Sequence, residues 1–280
     1  MLSRLLSTLV LWGIVFCGLW YFGAHAAVTM VALLTMLTLY EFYALTEKMG
    51  ARPFRWMGIL FSLLMIAGPY YVAYFFEDYD VSEALVGILF VLALITCCAR
   101  VLRERNPSNR VETIAVTLIG LLYIPYMLQF LIRILMREAD SGENLVLCLW
   151  LVVVSKFCDV GALLTGLAIG RHKMAPEISP KKTWEGAVGG VVMSVGMGAA
   201  IAYFFPGHLP ESMTPAVAAL IALPLAVLTI LSDLIESAIK RRAGAKDTGT
   251  MIPGIGGAFD LTDSLILTAP VAYYIFLFLE

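Results

Sequence analysis

Residues 144–169, NLVLCLWLVVVSKFCDVGALLTGLAI, decide how this chain is read. They run 26 residues with two charges, Lys156 and Asp159. About 20 apolar residues, wound as a helix, cross a hydrocarbon core about 30 Å thick. A helix is the form that satisfies every backbone N–H and C=O inside such a segment.

Working outward, eight further stretches have the same character, at roughly 5–23, 26–45, 56–76, 81–99, 111–136, 185–205, 214–236 and 262–279. The expectation is an all-α, polytopic integral membrane protein with about nine transmembrane helices and a cytoplasm-facing polar cavity. Little chain is left for a soluble domain. Gly68, Pro69, Gly120, Pro125, Pro224 and Pro270 fall within the stretches, and membrane helices packed on neighbours tolerate them. Trp20, Tyr21, Tyr40, Tyr43, Phe75 and Phe76 sit near span ends, as interfacial aromatics do. Ala24-His25-Ala26 resembles a cleavage site, but the apolar stretch before it exceeds the ~7–15 residues of a signal core and another span follows, so it is read as a span.

Composition agrees. The 280 residues are 60% hydrophobic and 14% charged, with a mean hydropathy of +0.87. Soluble domains average nearer half apolar and about a quarter charged. A soluble, disordered or nucleic-acid-coating protein is excluded. The five cysteines (Cys17, Cys97, Cys98, Cys148, Cys158) lie in apolar runs without C-x-x-C spacing, and are read as small hydrophobes. His25, His172 and His208 form no ligand pattern.

The basic residues set the orientation. With the N-terminus inside, alternate loops hold 16 of the 19 lysines and arginines. The opposite loops hold only Arg133 and Arg137, and Lys156 falls inside a span. The reading is a multi-pass protein of the cell (cytoplasmic) membrane, with its N-terminus and polar site facing the cytoplasm.

Two inside loops carry the chemistry. One runs from Gly170 to Gly186 through Ser179-Pro-Lys-Lys-Thr183; the other runs from Ser232 to Ser264. Asp233 and Glu236 lie three apart and so share a helix face, and Asp260 and Asp263 repeat the spacing. Two carboxylate pairs at one membrane face suit hard cations such as Mg²⁺, which share oxygen ligands with phosphates. Lys240, Arg241 and Lys246 suit the phosphates themselves. Gly254, Gly256 and Gly257 allow close backbone approach, as in anion-cradling loops. Lys156 and Asp159, an ionisable pair within a span, mark a functional site by default. Gly166 and Gly170 are read as helix-packing residues, and such small-residue faces permit a homodimer.

The run Ser237-x-x-Lys240-Arg241-x4-Lys246-Asp247-x-Gly249-x-x-Ile252-Pro253-Gly254-x-Gly256-Gly257-x-x-Asp260-x-x-Asp263 resembles the signature of the CDP-diacylglycerol synthases, the phosphatidate cytidylyltransferases. Ser179 to Gly186, with Asp159, Gly166 and Gly170 before it, is similar to that family's second conserved stretch, and Ser232-Asp233-x-x-Glu236-Ser237 also matches. The motifs cover roughly residues 150–265. Two positions depart: Ile255 stands where the family usually has His, and Leu261 where it usually has Arg.

The resemblance implies that CTP and phosphatidate become CDP-diacylglycerol and pyrophosphate, in phospholipid biosynthesis at the lipid bilayer, with Mg²⁺ as cofactor. Two cations are expected, and the second could be of another type. Asp233, Glu236, Asp260 and Asp263 would hold the metal, and Asp233, Lys240, Asp260 and Asp263 would be catalytic. Lys156, Asp159, Ser179, Lys181, Lys182, Thr183, Ser237, Arg241, Lys246, Asp247, Gly256 and Gly257 would contact substrate or shape its cavity. The expected organisation is an N-terminal transmembrane region at 1–140, with about five helices, and a catalytic region at 141–280, with about four. A CTP-dependent lipid kinase or other lipid nucleotidyltransferase, and a cation or organic-anion transporter, are the competing readings. The acids cluster near one membrane face rather than at the midplane, which disfavours transport.

Overall fold

The computed structural model describes residues 17–76, 79–103, 110–137, 141–249 and 256–279. The expected first span lies largely outside them, as do Ile252, Pro253, Gly254 and Ile255 of the signature.

The described chain is helical almost throughout. In order come α1 (Ala24–Lys48), α2 (Arg55–Phe76), α3 (Tyr79–Arg103), α4 (Arg110–Tyr123), α5 (Pro125–Leu135), α6 (Ser141–Ile169), α7 (Trp184–Phe204), α8 (Pro215–Arg242), α9 (Ala258–Ile266) and α10 (Thr268–Leu277). Among the described residues, seven stretches are long and apolar enough to cross a membrane, with α4 and α5 counting as one from Arg110 to Leu135. This is a multi-pass, all-α membrane protein. Val91, Leu92 and Ile95 of α3 are exposed, as lipid-facing side chains are.

Prolines explain the interruptions. Ile124 breaks α4 from α5 just before Pro125, because the proline ring disfavours helical geometry in the residue ahead of it. The stretch expected as one span at 262–279 is two helices, α9 and α10, parted at Leu267. Pro270 has no N–H to give the Ile266 carbonyl four residues back, so the ladder loses that bond beside the break.

Two compact units divide the chain, one of Met1–Ile132 with Arg242–Thr262, the other of Arg133–Arg241 with Asp263–Glu280. In the first, Tyr43 of α1 is fully buried and donates its hydroxyl to the Thr117 carbonyl at 2.8 Å. Gly58 and Gly120 leave room for that ring, since a Cβ on either would stand 2.5 Å from it.

In the second unit, α6 and α7 are joined through a two-stranded antiparallel hairpin, β1 (Lys173–Ala175) and β2 (Ser179–Thr183). The two helices approach through small residues. A Cβ on Gly190 would lie 2.7 Å from the Cys158 carbonyl oxygen, and one on Gly186 would lie 2.8 Å from that of Ala162. Ser194 Oγ donates to the Val154 carbonyl at 2.9 Å, and Trp150 Nε1 to that of Gly198 at 3.1 Å. Such close backbones strengthen dispersion and interhelical hydrogen bonds, which hold helices together where lipid removes the hydrophobic drive. The five cysteines are free thiols.

Candidate active site

The second unit gathers charge from three helices and the hairpin. Asp233 and Glu236 stand on α8, one turn apart, and Asp263 on α9. One oxygen from each lies within 4.8 Å of the others, and no second group of this kind occurs among the described residues. Glu236 is 1% and Asp263 7% exposed.

Three carboxylates held this close repel one another unless cations intervene. Each has a lysine beside it. Lys240 Nζ is 2.8 Å from Glu236 Oε2, Lys182 Nζ is 2.5 Å from Asp233 Oδ2, and Lys156 Nζ is 3.6 Å from Asp263 Oδ1. Lys156 also reaches Asp159 Oδ2 at 3.7 Å. The lysines come from α8, β2 and mid-α6, so residues far apart in sequence converge on one patch. Ser232 Oγ donates to the Asp263 carbonyl, tying α8 to α9 within the cluster.

The hairpin is fixed at its base. Glu185 accepts the backbone N–H of Arg171 at 3.1 Å and of His172 at 3.2 Å, and meets His172 Nδ1 at 2.5 Å. Thr183 is buried, and its Oγ1 accepts the Gly186 N–H at 3.1 Å, the N-cap of α7. These anchors set where β2 begins and ends, and so where Lys182 points. Arg241 Nε donates to the Ile178 carbonyl at 3.1 Å in the turn of the same hairpin. Ser179 is half-buried, Lys181 exposed, and Ser237 buried on α8.

Asp260 belongs to the first unit. Its Oδ2 accepts Thr248 Oγ1 at 3.0 Å and the Gly257 N–H at 3.3 Å, within the first unit. It sits in the first turn of α9, where a carboxyl turns back to the helix's own unpaired amides. Lys246 and Asp247 are exposed ahead of this turn, and Gly256 has φ +125°, a backbone geometry that favours glycine. The sequence pattern did not single out Glu41 on α1. Its Oε2 accepts the Phe259 N–H at 2.9 Å, and it is 3% exposed. The available signal was a lone carboxyl inside an apolar stretch.

The carboxylate trio fits a hard divalent cation. All three donors are carboxylate oxygens, within 4.8 Å of one another, and oxygen is the ligand such cations take. The surrounding lysines offer N–H donors to anionic oxygens, so the patch can hold a cation and a polyphosphate together.

The model of the cytidylyltransferase family matches residues 2–279. The chain belongs to that family. It is 27% identical to a phosphatidate cytidylyltransferase of Synechocystis sp., over 98% of this chain and 94% of that protein. It is 37% identical to a phosphatidate cytidylyltransferase of Rickettsia bellii, over 67% of this chain and 80% of that one. It is also 30% identical to the Escherichia coli protein YnbB, whose name carries no activity, over 94% of this chain and 84% of that protein. Of the two positions at which this cytidylyltransferase family member departs from the signature, Leu261 is half-buried on α9, and Ile255 lies outside the described residues.

Proposed function

We propose that this membrane protein is a Mg²⁺-dependent phosphatidate cytidylyltransferase of the cytoplasmic membrane, with its N-terminus and its site on the cytoplasmic side. An oxygen of the phosphatidate phosphate attacks the α-phosphorus of CTP. The new bond joins that oxygen to the α-phosphorus, the bond to the β-phosphate bridging oxygen breaks, and pyrophosphate leaves. The nucleophile is already anionic, so no strong general base is needed, and catalysis rests on positioning and charge neutralisation. The observation that carries this reading is the trio Asp233, Glu236 and Asp263, with one lysine beside each carboxylate.

Asp233, Glu236 and Asp263 would hold the cation, which supplies Lewis-acid polarisation of phosphate oxygens. Lys182, Lys240 and Lys156 then exchange carboxylate for phosphate and neutralise the triphosphate as pyrophosphate departs. Arg241 and Lys181 extend the basic surface toward CTP, and Lys246 would bind its phosphates. Asp159 keeps Lys156 in place, and Asp260 orders the start of α9 through Thr248 and Gly257. The acyl chains stay in the bilayer.

Incubating the purified protein in detergent with labelled CTP, phosphatidate and Mg²⁺ tests this. CDP-diacylglycerol with equimolar pyrophosphate is the expected outcome. CDP with a phosphorylated lipid would make it a CTP-dependent kinase, and no CTP consumption would leave transport. An Ile255→His variant run beside it is expected to raise turnover by restoring the histidine usual at that position.

A further inference from the structure

The N-terminus of α9 is capped from another helix. The residue before its first turn is Gly257, which has no side chain to accept the unpaired amides of that turn. Nor is there room for one. A Cβ on Gly257 would stand 1.8 Å from Thr248 Oγ1 and 2.8 Å from Glu41 Oε2. Glu41 instead supplies the acceptor from α1, taking the Phe259 N–H at 2.9 Å across 218 residues of sequence.

The contact is part of a seam. Thr38, one turn before Glu41 on α1, meets Thr262, one turn after Phe259 on α9, with their hydroxyl oxygens 2.9 Å apart. Phe259 is fully buried, its ring edge-on to Phe42 at 6.2 Å and to Tyr123 at 6.3 Å. The Glu41 carboxyl also fills the space beside Gly249, where a Cβ would lie 2.6 Å from Oε1. One buried side chain therefore packs against Gly249 and Gly257 and accepts the Phe259 amide of the helix carrying Asp260.

We propose that Glu41 is a positioning residue for cytidylyl transfer: its carboxyl serves as the missing cap of α9 and fixes the backbone at Gly249 and Gly257, beside Thr248 and Asp260. This rests on the cytidylyltransferase reading above. As a positioning residue, Glu41 would act through the start of α9 and not on substrate itself. What it contributes is reach and an acceptor oxygen, so the two conservative variants separate. Glu41→Gln keeps the length and one acceptor oxygen but loses the charge. Glu41→Asp keeps the charge but is shorter by one methylene and cannot span to Phe259.

The test measures kcat and the KM for CTP in both variants, with hydrogen exchange read over residues 256–266. Glu41→Gln is expected to hold kcat within about five-fold and to keep the protection of the Phe259 amide. Glu41→Asp is expected to lose about 100-fold in kcat, the scale of a misplacement of about 1 Å. Its exchange at residues 256–266 should rise about tenfold while α6 and α7 keep theirs. Wild-type kcat in Glu41→Asp, or a loss in Glu41→Gln as large as in Glu41→Asp, overturns the proposal, and so does unchanged protection at Phe259 in Glu41→Asp. The exchange measurement needs no turnover. A wild-type protein that fails to consume CTP would sink the proposed function while leaving the cap itself to be judged on exchange.

Discussion

Lys156 Nζ lies 3.6 Å from Asp263 Oδ1, so a lysine in the middle of α6 is joined to a carboxylate of the signature. An ammonium at membrane depth is costly, and it stays only where oxygen partners meet it. Lys156→Met removes the charge and keeps most of the stem. We expect kcat to fall about 100-fold, the scale of losing one charge-stabilising donor, with membrane insertion and elution in gel filtration unchanged. Lys156→Arg should not rescue it, since a planar fork does not replace a compact ammonium between two carboxylates. A Lys156→Met enzyme with wild-type kcat would show that the lysine only balances charge.

We predict that the carboxylates divide into two roles. Asp263→Asn and Glu236→Gln each remove a charged oxygen from the trio and should push the Mg²⁺ concentration for half-maximal activity up by about tenfold or more. Asp260→Asn keeps an acceptor for the Gly257 N–H at 3.3 Å, so its loss should appear in kcat with the Mg²⁺ dependence unmoved. The check is activity across a Mg²⁺ titration for all three variants. A Mg²⁺ shift in Asp260→Asn as large as in Asp263→Asn would return Asp260 to the metal site.

The spans were readable because bilayer crossing leaves a long, charge-poor signature in the sequence, as in α6 with only Lys156 and Asp159 in its apolar run. The i, i+3 spacing of Asp233 and Glu236 likewise survives intact on α8. What sequence pattern could not supply is partnership between distant residues. Lys156 has a local partner, Asp159, at 3.7 Å, but its second partner, Asp263, is brought in by packing. Lys182 meets Asp233 only because a hairpin of two short strands turns the Ser179–Thr183 stretch back, and those residues carry no apolar alternation to announce a strand. The role of Glu41 is hidden in the sequence for the same reason: the amide it accepts lies 218 residues away.

Thr183 offers a test between two uses of one hydroxyl. In the structure its Oγ1 accepts the Gly186 N–H at 3.1 Å, with the residue 4% exposed. Thr183→Ala should therefore cost about 1 kcal/mol as a lost N-cap and lower the thermal midpoint in detergent, while Thr183→Ser restores it. The KM for CTP should stay within about two-fold once the protein is folded. A raised KM with an unchanged midpoint would instead place the hydroxyl on substrate.

The approach of α6 and α7 gives a paired test on a single helix. A Cβ on Gly190 would lie 2.7 Å from the Cys158 carbonyl oxygen, and backbone cannot move aside as a side-chain tip can. Gly196, six residues on, meets nothing within 4 Å. Gly190→Ala should force the helices apart, weakening the Ser194 hydroxyl bond to Val154 and shifting Lys156, and so lower both the thermal midpoint and kcat. Gly196→Ala adds the same methyl in open space, where the higher helix propensity of alanine is worth up to about 1 kcal/mol. It should match or exceed the wild-type midpoint with full activity. Equal tolerance at the two positions would mean that close backbone packing does not hold these two helices together.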